Sequence, residues 1–344
     1  MQVGNYISPG HIDFRTDATR PKPGPGELLI HVKRCGICGS DLHMFRDGSL
    51  RERIVRQTPE GYEVPGHELA GVVAEVGQDV EGWSVGDRVV AIPGYGGGMA
   101  EFMTVPVNPY QVVAIPDSVD FDAAATTEPM ADALQMVRLA DVQPNEHIVI
   151  FGVGIIGLGV IQALKAKGIQ AGSIIAIDVQ EARLDKALEL GATSVIDGRQ
   201  KDLLERVAEA TGEGVKTDFD PSHANIGVVF DCAGYSSHFG RPVPLETALE
   251  IIAPGRGRII CFGSFSGEAT LNLHNIVRKQ ATVKGSFGYQ PQELLDALEM
   301  MRSGAVDRNT LISHHFPLEK IDSAFSAQMG ADAIKVIIDI PETG

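Results

Sequence analysis

The sequence predicts an α/β protein of two domains, a small β-rich domain followed by a doubly wound parallel sheet. A chain of 344 residues exceeds the usual size of a single domain. Up to about residue 115, short apolar runs are separated by Gly and Pro, whereas after residue 147 strand patterns alternate with helix patterns. Such alternation is typical of a parallel sheet with helices on both faces.

The first domain is predicted to be a small β barrel or sandwich. Apolar runs bounded by Gly and Pro predict strands at residues 26–32, 69–77 and 87–93. No convincing helix pattern separates these runs, as expected of a compact all-β unit. An alanine-rich segment at 120–140 then predicts a helix, and we place the domain boundary at residue 120.

The second domain, expected at 121–289, is predicted from strands and helices in alternation. The predicted strands are 148–151, 173–177, 193–196, 228–231 and 258–261, and the predicted helices are 155–167, 180–190 and 248–252. Beyond this domain, the tail is predicted to contain a helix at 292–301 and short strands near Ile312 and Val336.

Composition argues against several classes of partner. The chain has 29 Lys and Arg against 45 Asp and Glu, a formal net charge of −16, so nucleic acid and anionic membrane surfaces are not expected partners. Four scattered cysteines do not make a disulfide framework, and the N-terminus lacks the pattern of a signal peptide. The apolar run at 148–161 is too short to cross a bilayer. We therefore expect a cytoplasmic protein.

A glycine-rich turn predicts a dinucleotide site. Gly152, Val153, Gly154, Ile155, Ile156 and Gly157 fit the G-x-G-x-x-G pattern, directly after a predicted strand and at the start of a predicted helix. In this pattern the first glycine makes the turn, the second lets the backbone approach a pyrophosphate, and the third lets the helix pack on the strand. The alternative is a glycine turn that only packs an ordinary helix.

An acidic residue after the next strand favours NAD over NADP. Asp178 follows the strand at 173–177 and can accept hydrogen bonds from ribose hydroxyls, while its charge would repel a 2′-phosphate. Neither Val179 nor Gln180 supplies a cation that would offset this repulsion. We include Val179 and Arg183 among the candidate cofactor contacts.

The segment from Cys35 to His43, together with His67, carries the residues that suit a metal. Cys38 and His67 offer a thiolate and an imidazole, both ligands that zinc prefers. Alternatively, Cys35-x-x-Cys38 is half of a structural zinc knuckle, although the chain has no second C-x-x-C. Two ligands alone leave this question open.

Five motifs, in order, give the chain a resemblance to a known family. They are Gly36-Ile37-Cys38-Gly39-Ser40-Asp41-Leu42-His43, Pro65-Gly66-His67-Glu68, Gly86-Asp87-Arg88-Val89, Thr127-Glu128-Pro129-Met130 and the glycine turn. Over nearly its whole length the chain resembles the zinc-dependent medium-chain alcohol and polyol dehydrogenases, and is most similar to the sorbitol and threonine dehydrogenase-like branch. The resemblance implies a GroES-like β-barrel catalytic domain at 1–120, to which residues 290–344 return, and a Rossmann NAD-binding domain.

The resemblance also implies roles for individual residues. Cys38, His67 and Glu128 match the three zinc ligands of that branch, and Glu68 matches a conditional fourth ligand. Without the resemblance, Glu128 is equally an acidic residue at a helix start, which the following proline favours. Ser40 and His43 match the hydroxyl and the histidine that carry the substrate proton; otherwise they are a turn cap and a surface histidine.

Further cofactor contacts are expected after later strands of the sheet, where dinucleotide sites lie. The resemblance supports backbone contacts from the segments that contain Cys232, Ala233, Phe262, Gly263 and Ser264. Many relatives carry a lobe with four cysteines that holds a structural zinc, whereas residues 92–102 of this chain lack that lobe. We therefore expect one catalytic zinc per subunit and no structural zinc. The family also implies a homodimer or homotetramer.

The predicted function is NAD-dependent oxidation of a secondary alcohol or polyol at a zinc ion. Alternatives on the same fold are a zinc-free NAD(P)H reductase, a redox-neutral epimerase or lyase with tightly bound NAD, and a non-catalytic NAD-binding protein. Four arginines crowd the segment between His43 and His67 and suggest an anionic substrate, unless they form an ordinary solvated surface. They are Arg46, Arg51, Arg53 and Arg56.

Overall fold

The computed structural model divides the chain into two compact units. The first unit comprises Met1–Pro129 and Gln290–Gly344, and the second comprises Met130–Tyr289. The first boundary thus follows Pro129 rather than residue 120, because the intervening corner is bonded to the first unit: Arg308 donates a hydrogen bond to Thr126. The structure describes residues 1–212, 224–236, 243–266, 268 and 270–341.

Strands and helices alternate along much of the described chain. The strands are β1 (Val3–Ser8), β2 (His11–Arg15), β3 (Glu27–Gly36), β4 (Arg56–Gln57), β5 (Glu63–Val64), β6 (Glu68–Val76), β7 (Arg88–Ala91), β8 (Phe102–Pro106), β9 (Val112–Ala114), β10 (His147–Phe151), β11 (Ser173–Asp178), β12 (Ser194–Asp197), β13 (Ile226–Asp231), β14 (Tyr235–Ser236), β15 (Arg258–Cys261), β16 (Phe265–Ser266), β17 (Thr282–Gly285), β18 (Ile312–Pro317) and β19 (Lys335–Asp339). The α-helices are α1 (Gly39–Asp47), α2 (Arg51–Ile54), α3 (Phe121–Ala124), α4 (Thr127–Ala140), α5 (Ile155–Ala166), α6 (Glu181–Glu189), α7 (Leu203–Thr211), α8 (Pro244–Ile251), α9 (His274–Lys279), α10 (Pro291–Arg302) and α11 (Ile321–Gln328).

The first unit is built around β3, which pairs with three other strands. β6 lies along one edge of β3, whereas β8 and β19 share the other edge. The sheet runs in the order β18–β19–β3–β6–β7–β9, and its pairs are antiparallel except for β18 with β19. Because β19 comes from the end of the chain, the C-terminal segment completes the sheet of the first unit. The hydrophobic core beneath it includes Ile30, Leu69 and Phe325.

The second unit contains a six-stranded parallel sheet in the order β12–β11–β10–β13–β15–β17. When only the strands of this sheet are counted along the chain, that order is 3-2-1-4-5-6, the doubly wound arrangement of dinucleotide-binding domains. Nearly every residue of β10, β11 and β13 is buried, as expected of central parallel strands. The strand order reverses between β10 and β13, and ligands of such sheets bind at the carboxyl ends of the strands at this point.

Three helices of the first unit were not predicted. The sequence of α1 is mostly polar, and its buried apolar residues are only Met44 and Phe45, so its helical period is weak. α2 is a single turn of four residues. In α11, by contrast, Ile321, Ala324, Phe325 and Gln328 form a buried face, so its helical spacing was readable from the sequence.

The segment predicted as one helix at 120–140 forms two. Asp120 caps α3 by accepting a hydrogen bond from the Ala123 N–H, and the hydroxyls of Thr126 and Thr127 then donate to the carbonyls of Ala123 and Ala124. These bonds satisfy the carbonyls at the end of α3 and start α4 at Thr127. Within the described part of the chain, every helix is too short or too polar to span a bilayer.

Candidate functional site

The N-terminus of α1 positions the first metal-binding candidate. Cys38 is the N-cap of this helix, and its N–H donates to Asp41 Oδ2 at 2.9 Å. Asp41 is fully buried, and burial raises the pKa of its carboxyl while the charge of His67 opposes that rise. The capping carboxylate therefore fixes the backbone at Cys38 and also places negative charge close to His67.

A glycine turn before β6 positions His67 and Glu68. Gly66 has φ of 93°, and a Cβ at this position would lie 2.8 Å from Cys35 Sγ and 3.1 Å from the Met99 N. The Gly98 N–H donates to the Gly66 carbonyl at 2.9 Å. The segment at 92–102 thus supports the turn before His67. The buried side chain of Cys35 packs against this turn.

The structure brings one donor group from each of Cys38, His67 and Glu68 within 4.8 Å of one another. Glu128 lies outside this group, but it is close enough for its charge to act on two of the members. Burial raises the pKa of the Cys38 thiol well above its usual range, and the charges of Glu68 and Glu128 raise it further. Glu128 as a direct ligand stays a prediction.

The cluster carries negative potential that suits a cation. Burial alone would lower the pKa of His67, but the charges of Asp41, Glu128 and Glu68 outweigh burial and raise it. A divalent ion would relieve this excess of negative charge, and its binding at Cys38 would displace the proton of the thiol.

Glu68 is held by a lysine from the other end of the chain. The ammonium group of Lys335 donates to Glu68 Oε2 and, at 2.8 Å, to the Ile37 carbonyl. Both side chains are completely or almost completely buried. Gly36 makes room for the pair, since a Cβ there would lie 2.7 Å from the Lys335 Cε and 2.8 Å from Glu68 Oε2.

The second carboxylate oxygen of Glu68 shows whether the cluster fits a zinc ion. Glu68 Oε1 is buried and has no hydrogen-bond partner among the described residues. An unpaired carboxylate oxygen is costly inside a protein, and it is accounted for if a metal binds there. A thiolate, an imidazole and a carboxylate form a donor set that zinc prefers, so the residues present fit this ion.

Ser40 and His43 lie on α1 three residues apart, on the same side of the helix. Ser40 Oγ is buried and, within the described chain, has no hydrogen-bond partner. Burial lowers the pKa of His43, the charge of Arg46 lowers it further, and Asp47 opposes both effects. His43 is therefore a neutral proton acceptor over a wider pH range than an ordinary histidine.

The four arginines of the anionic-substrate hypothesis differ in their contacts within the first unit. Arg51 pairs with Glu63, and Arg56 donates to the Thr104 carbonyl at 2.6 Å. These two guanidinium groups are therefore used inside the first unit. Arg46, Arg51 and Arg53 are exposed, and the anionic-substrate hypothesis stays a prediction.

In the second unit, the glycine turn connects β10 to α5. Gly152 has φ of 79°, and a Cβ there would lie 2.8 Å from the Ala233 N. A Cβ at Gly157 would lie 2.1 Å from the Gly152 carbonyl oxygen, so helix and turn pack at a distance that only glycine permits. Gly154 is the N-cap of α5, and the space beside it is open except for an Arg183 nitrogen 3.9 Å away. Ile155 and Ile156 form the first turn of α5.

Asp178 ties the glycine turn to the end of β11. Its Oδ2 accepts the Val153 N–H at 2.8 Å, and its Oδ1 accepts the N–H groups of Val179 at 2.7 Å and Gln180 at 2.9 Å. β12 places Asp197 beside Asp178 in the register of the sheet. Asp197 is itself paired with Arg199, whose Nη2 donates to Asp197 Oδ2 at 2.7 Å, so the argument against a 2′-phosphate rests on Asp178.

Asp231 organises the loops that follow β13 and β15. Its Oδ1 accepts the N–H groups of Ala233 and Gly234, and its carbonyl accepts those of Phe262 and Gly263. Burial raises the pKa of Asp231 to about 6. The candidate contacts Cys232 and Ser264 belong to these same two loops, and the Ser264 carbonyl accepts the Tyr235 N–H at 2.9 Å.

Sequence reasoning missed Asp41, Lys335 and Asp231. The role of Lys335 could have been predicted from the sequence. If the apolar run 336–338 is a core strand, the single lysine before it requires a buried partner. Asp41 stands three residues after Cys38, the spacing of a capping pair.

Comparisons with known proteins agree with this arrangement. Residues 24–117 match the alcohol dehydrogenase GroES-like domain, and residues 156–303 match the zinc-binding dehydrogenase domain. The chain is 33% identical to (R,R)-butanediol dehydrogenase of Bacillus subtilis, over 89% of this chain and 90% of that one. The chain belongs to the zinc-type medium-chain dehydrogenases.

Two further similarities extend over almost the full length of this dehydrogenase. Sorbitol dehydrogenase of Arabidopsis thaliana is 30% identical, over 93% of this chain and 90% of that one. The crystal structure of 2R,3R-butanediol dehydrogenase from Bacillus subtilis superposes with a TM-score of 0.80 at 29% identity, covering 98% of this chain and 99% of that one.

The family assignment confirms the predicted fold, enzyme class and cofactors. The protein is an oxidoreductase that acts on CH–OH groups with zinc and NAD, and it combines a GroES-like domain with a Rossmann-type sheet. The assignment does not favour the zinc-free or redox-neutral alternatives.

Proposed function

We propose that this dehydrogenase oxidises a vicinal diol or polyol at a secondary hydroxyl and, in reverse, reduces the corresponding hydroxyketone. The observation that carries the proposal is the cluster of Cys38, His67 and the buried Glu68, whose carboxylate retains an oxygen with no partner among the described residues. The substrate class rests on the similar proteins, because butanediol and sorbitol both carry a secondary hydroxyl beside another hydroxyl.

We assign zinc binding to Cys38 and His67 together with a carboxylate from Glu128, with Glu68 as the conditional ligand. Bound zinc acts as a Lewis acid that polarises the oxygen of the substrate. Lys335 donates a hydrogen bond to Glu68 Oε2 and thereby fixes the carboxylate. Glu68 Oε1, which has no partner among the described residues, is available to the metal. The charge of Asp41 acts on His67 and raises the pKa of its imidazole.

Ser40 and His43 handle the proton in this proposal. The buried Ser40 hydroxyl accepts the proton of the substrate alcohol and passes on its own, and the half-buried His43 carries a proton to solvent. NAD held at the glycine turn would supply the hydride acceptor, so oxidation of each alcohol would yield one carbonyl, one NADH and one proton.

For the cofactor, the proposal assigns the pyrophosphate to the glycine turn and the ribose hydroxyls to Asp178. The open space beside Gly154 at the N-terminus of α5 supports this assignment, since N–H groups there are available to an anion. Arg183 has a nitrogen 3.9 Å from the position of a Cβ at Gly154, and Val179 shares with Val153 the carboxylate of Asp178 as a hydrogen-bond acceptor. The loops of Cys232 and Phe262 follow the neighbouring strands.

The test combines metal analysis with a substrate comparison. Purified protein should contain one zinc per chain and form NADH with 2,3-butanediol or sorbitol. The matched control is 2-butanol, which lacks only the neighbouring hydroxyl, and we expect its kcat/KM to be at least about tenfold lower. Equal efficiency with diol and monoalcohol would contradict the substrate class, and absence of zinc would contradict the centre. A 2-hydroxy acid tests the anionic alternative.

Arg46→Ala should move the pH profile of oxidation. His43 must be neutral to take up a proton, so activity falls as the pH drops through the pKa of His43. Because Arg46 lowers this pKa, its removal raises the pKa and shifts the acid limb of kcat/KM to higher pH. Asp47→Asn should shift the limb the other way, and a profile that moves in neither variant contradicts the role of His43.

We also propose that the protein forms a homodimer in which β17 pairs with β17 of a second copy. β17 ends the parallel sheet of the second unit, and all four of its residues are exposed. Exposed apolar side chains flank it, including Val277 at 74% and Phe287 at 96% exposure. An open strand edge beside apolar surface is a template for pairing with another chain. A tetramer would need a second interface.

Val283→Lys should convert the dimer to a monomer. A lysine in the middle of β17 places like charges opposite each other at the pairing edge, which is a common natural means of preventing such contacts. Light scattering coupled to gel filtration measures the mass. Val85→Lys is the matched control, since Val85 is also an exposed valine but lies in the first unit. An unchanged mass for Val283→Lys would place the interface elsewhere.

A further inference from the structure

Three cationic side chains are fully buried in the described part of the chain: Lys279, Arg308 and Lys335. The ammonium group of Lys279 donates to the carbonyls of Glu250 and Ile252 at the end of α8, so its role is to close that helix. Lys335 is bound to Glu68. Arg308 has no part in the mechanism above, although a guanidinium group is costly to bury without a function.

Arg308 contacts the corner that leads to Glu128. Its Nε donates to Thr126 Oγ1 at 3.2 Å, and Thr126 in turn donates to the Ala123 carbonyl at 2.7 Å. Asn309, the next residue, donates to Asp120 Oδ2 at 2.8 Å. Two neighbouring side chains from the C-terminal segment thus hold both ends of α3, and Glu128 follows two residues after Thr126.

Arg308 is also within electrostatic reach of the metal-binding cluster. Burial lowers the pKa of Arg308 to about 10, and the charge of Glu68 opposes this effect. The guanidinium group remains charged at neutral pH. With zinc bound, the charges around the cluster would balance. The carboxylates of Asp41, Glu68 and Glu128 and the thiolate of Cys38 would be matched by the cationic side chains of Lys335 and Arg308 and by the divalent ion.

We propose that Arg308 is a positioning residue of the metal centre, which holds the Thr126 corner so that Glu128 is presented to zinc. The inference rests on the proposed function, because it requires that the cluster binds zinc and that Glu128 takes part. Arg308 itself contacts neither metal nor substrate. Its effect passes through the Thr126 hydroxyl and the short chain between Thr126 and Glu128.

The direction of the change in zinc affinity separates positioning from simple electrostatics. A fixed positive charge near a cation site opposes the binding of that cation, so loss of charge alone should tighten zinc binding. Loss of positioning should weaken it, since residues that orient metal ligands typically contribute about 10–100-fold to affinity. Weaker binding after removal of Arg308 therefore reports a positioning role.

The experiment measures the zinc dissociation constant by chelator competition in the full-length protein. We expect Arg308→Met and Thr126→Val each to weaken zinc about tenfold or more, and the double variant to be no weaker than Arg308→Met. Thr127→Val is the matched control. The Thr127 hydroxyl donates to the Ala124 carbonyl in the same way, whereas the Arg308 Nε donates to Thr126. This variant should keep the affinity of the parent protein.

Amide hydrogen exchange of the zinc-free protein supplies a second readout. Exchange at residues 126–130 should become faster in Arg308→Met and Thr126→Val, and should be unchanged in Thr127→Val. Unchanged or tighter zinc binding in Arg308→Met overturns the inference, as does an equal loss in Thr127→Val. Failure of the parent protein to bind zinc would instead overturn the proposed function. If Arg308→Met does not fold, Thr126→Val and its control still decide the question.

Discussion

Cys38→Ala should abolish zinc binding and reduce kcat/KM by at least about a thousandfold, whereas Cys35→Ala should retain both the metal and most of the activity. Cys38 supplies the one thiolate of the donor cluster, and two remaining ligands do not hold zinc at the affinity of a catalytic site. A zinc-dependent dehydrogenase without its ion loses the group that polarises the substrate, which contributes several kcal/mol to the barrier.

The two cysteines make an internal control because they lie three residues apart and differ in surroundings. Cys35 is fully buried and packs against Gly66 and Gly98, so its truncation costs stability, by about 1 kcal/mol for one small buried group. Metal analysis and steady-state kinetics on both variants test the assignment. If both variants lose zinc equally, the C-x-x-C pair is a structural knuckle and the catalytic centre proposed here is wrong.

The local parts of this structure could be predicted from the sequence. The strand β10, the glycine turn and α5 form a continuous segment whose apolar period and glycine spacing allow few other conformations. Cys38 and His67 were recognisable for the same reason, since each lies in a short motif whose neighbours fix its backbone. The helix α1 could not be predicted from its mostly polar sequence, because the burial of α1 depends on contacts with distant elements such as α11.

The long-range partners could not be predicted, because nothing local encodes them. Glu68 and Lys335 are 267 positions apart, and Thr126 and Arg308 are 182 positions apart. β19 brings Lys335 next to β3 only after the C-terminal segment has joined the sheet of the first unit. A lysine in an apolar strand signals that some buried anion exists, but the identity of that anion depends on the register of strands far away in the chain.

Lys335→Met should destabilise the first unit by about 3–5 kcal/mol, the usual cost of removing one partner from a buried ion pair. Glu68 would be left charged in a site where its Oε1 already has no partner among the described residues. Methionine fills a similar volume and leaves little cavity, so most of the loss comes from the unpaired carboxylate. Urea unfolding of the zinc-free protein measures it.

The double variant Glu68→Gln with Lys335→Met separates charge from shape. It removes both charges and should therefore be more stable than Lys335→Met alone, although it lacks one more native group. Zinc should also restore part of the stability of Lys335→Met, because the ion supplies positive charge to Glu68 while Cys38 and His67 are unchanged. If Lys335→Met is as stable as the parent protein, the pair contributes nothing to the fold, and the reason for burying a lysine beside Glu68 must be its effect on the metal centre alone.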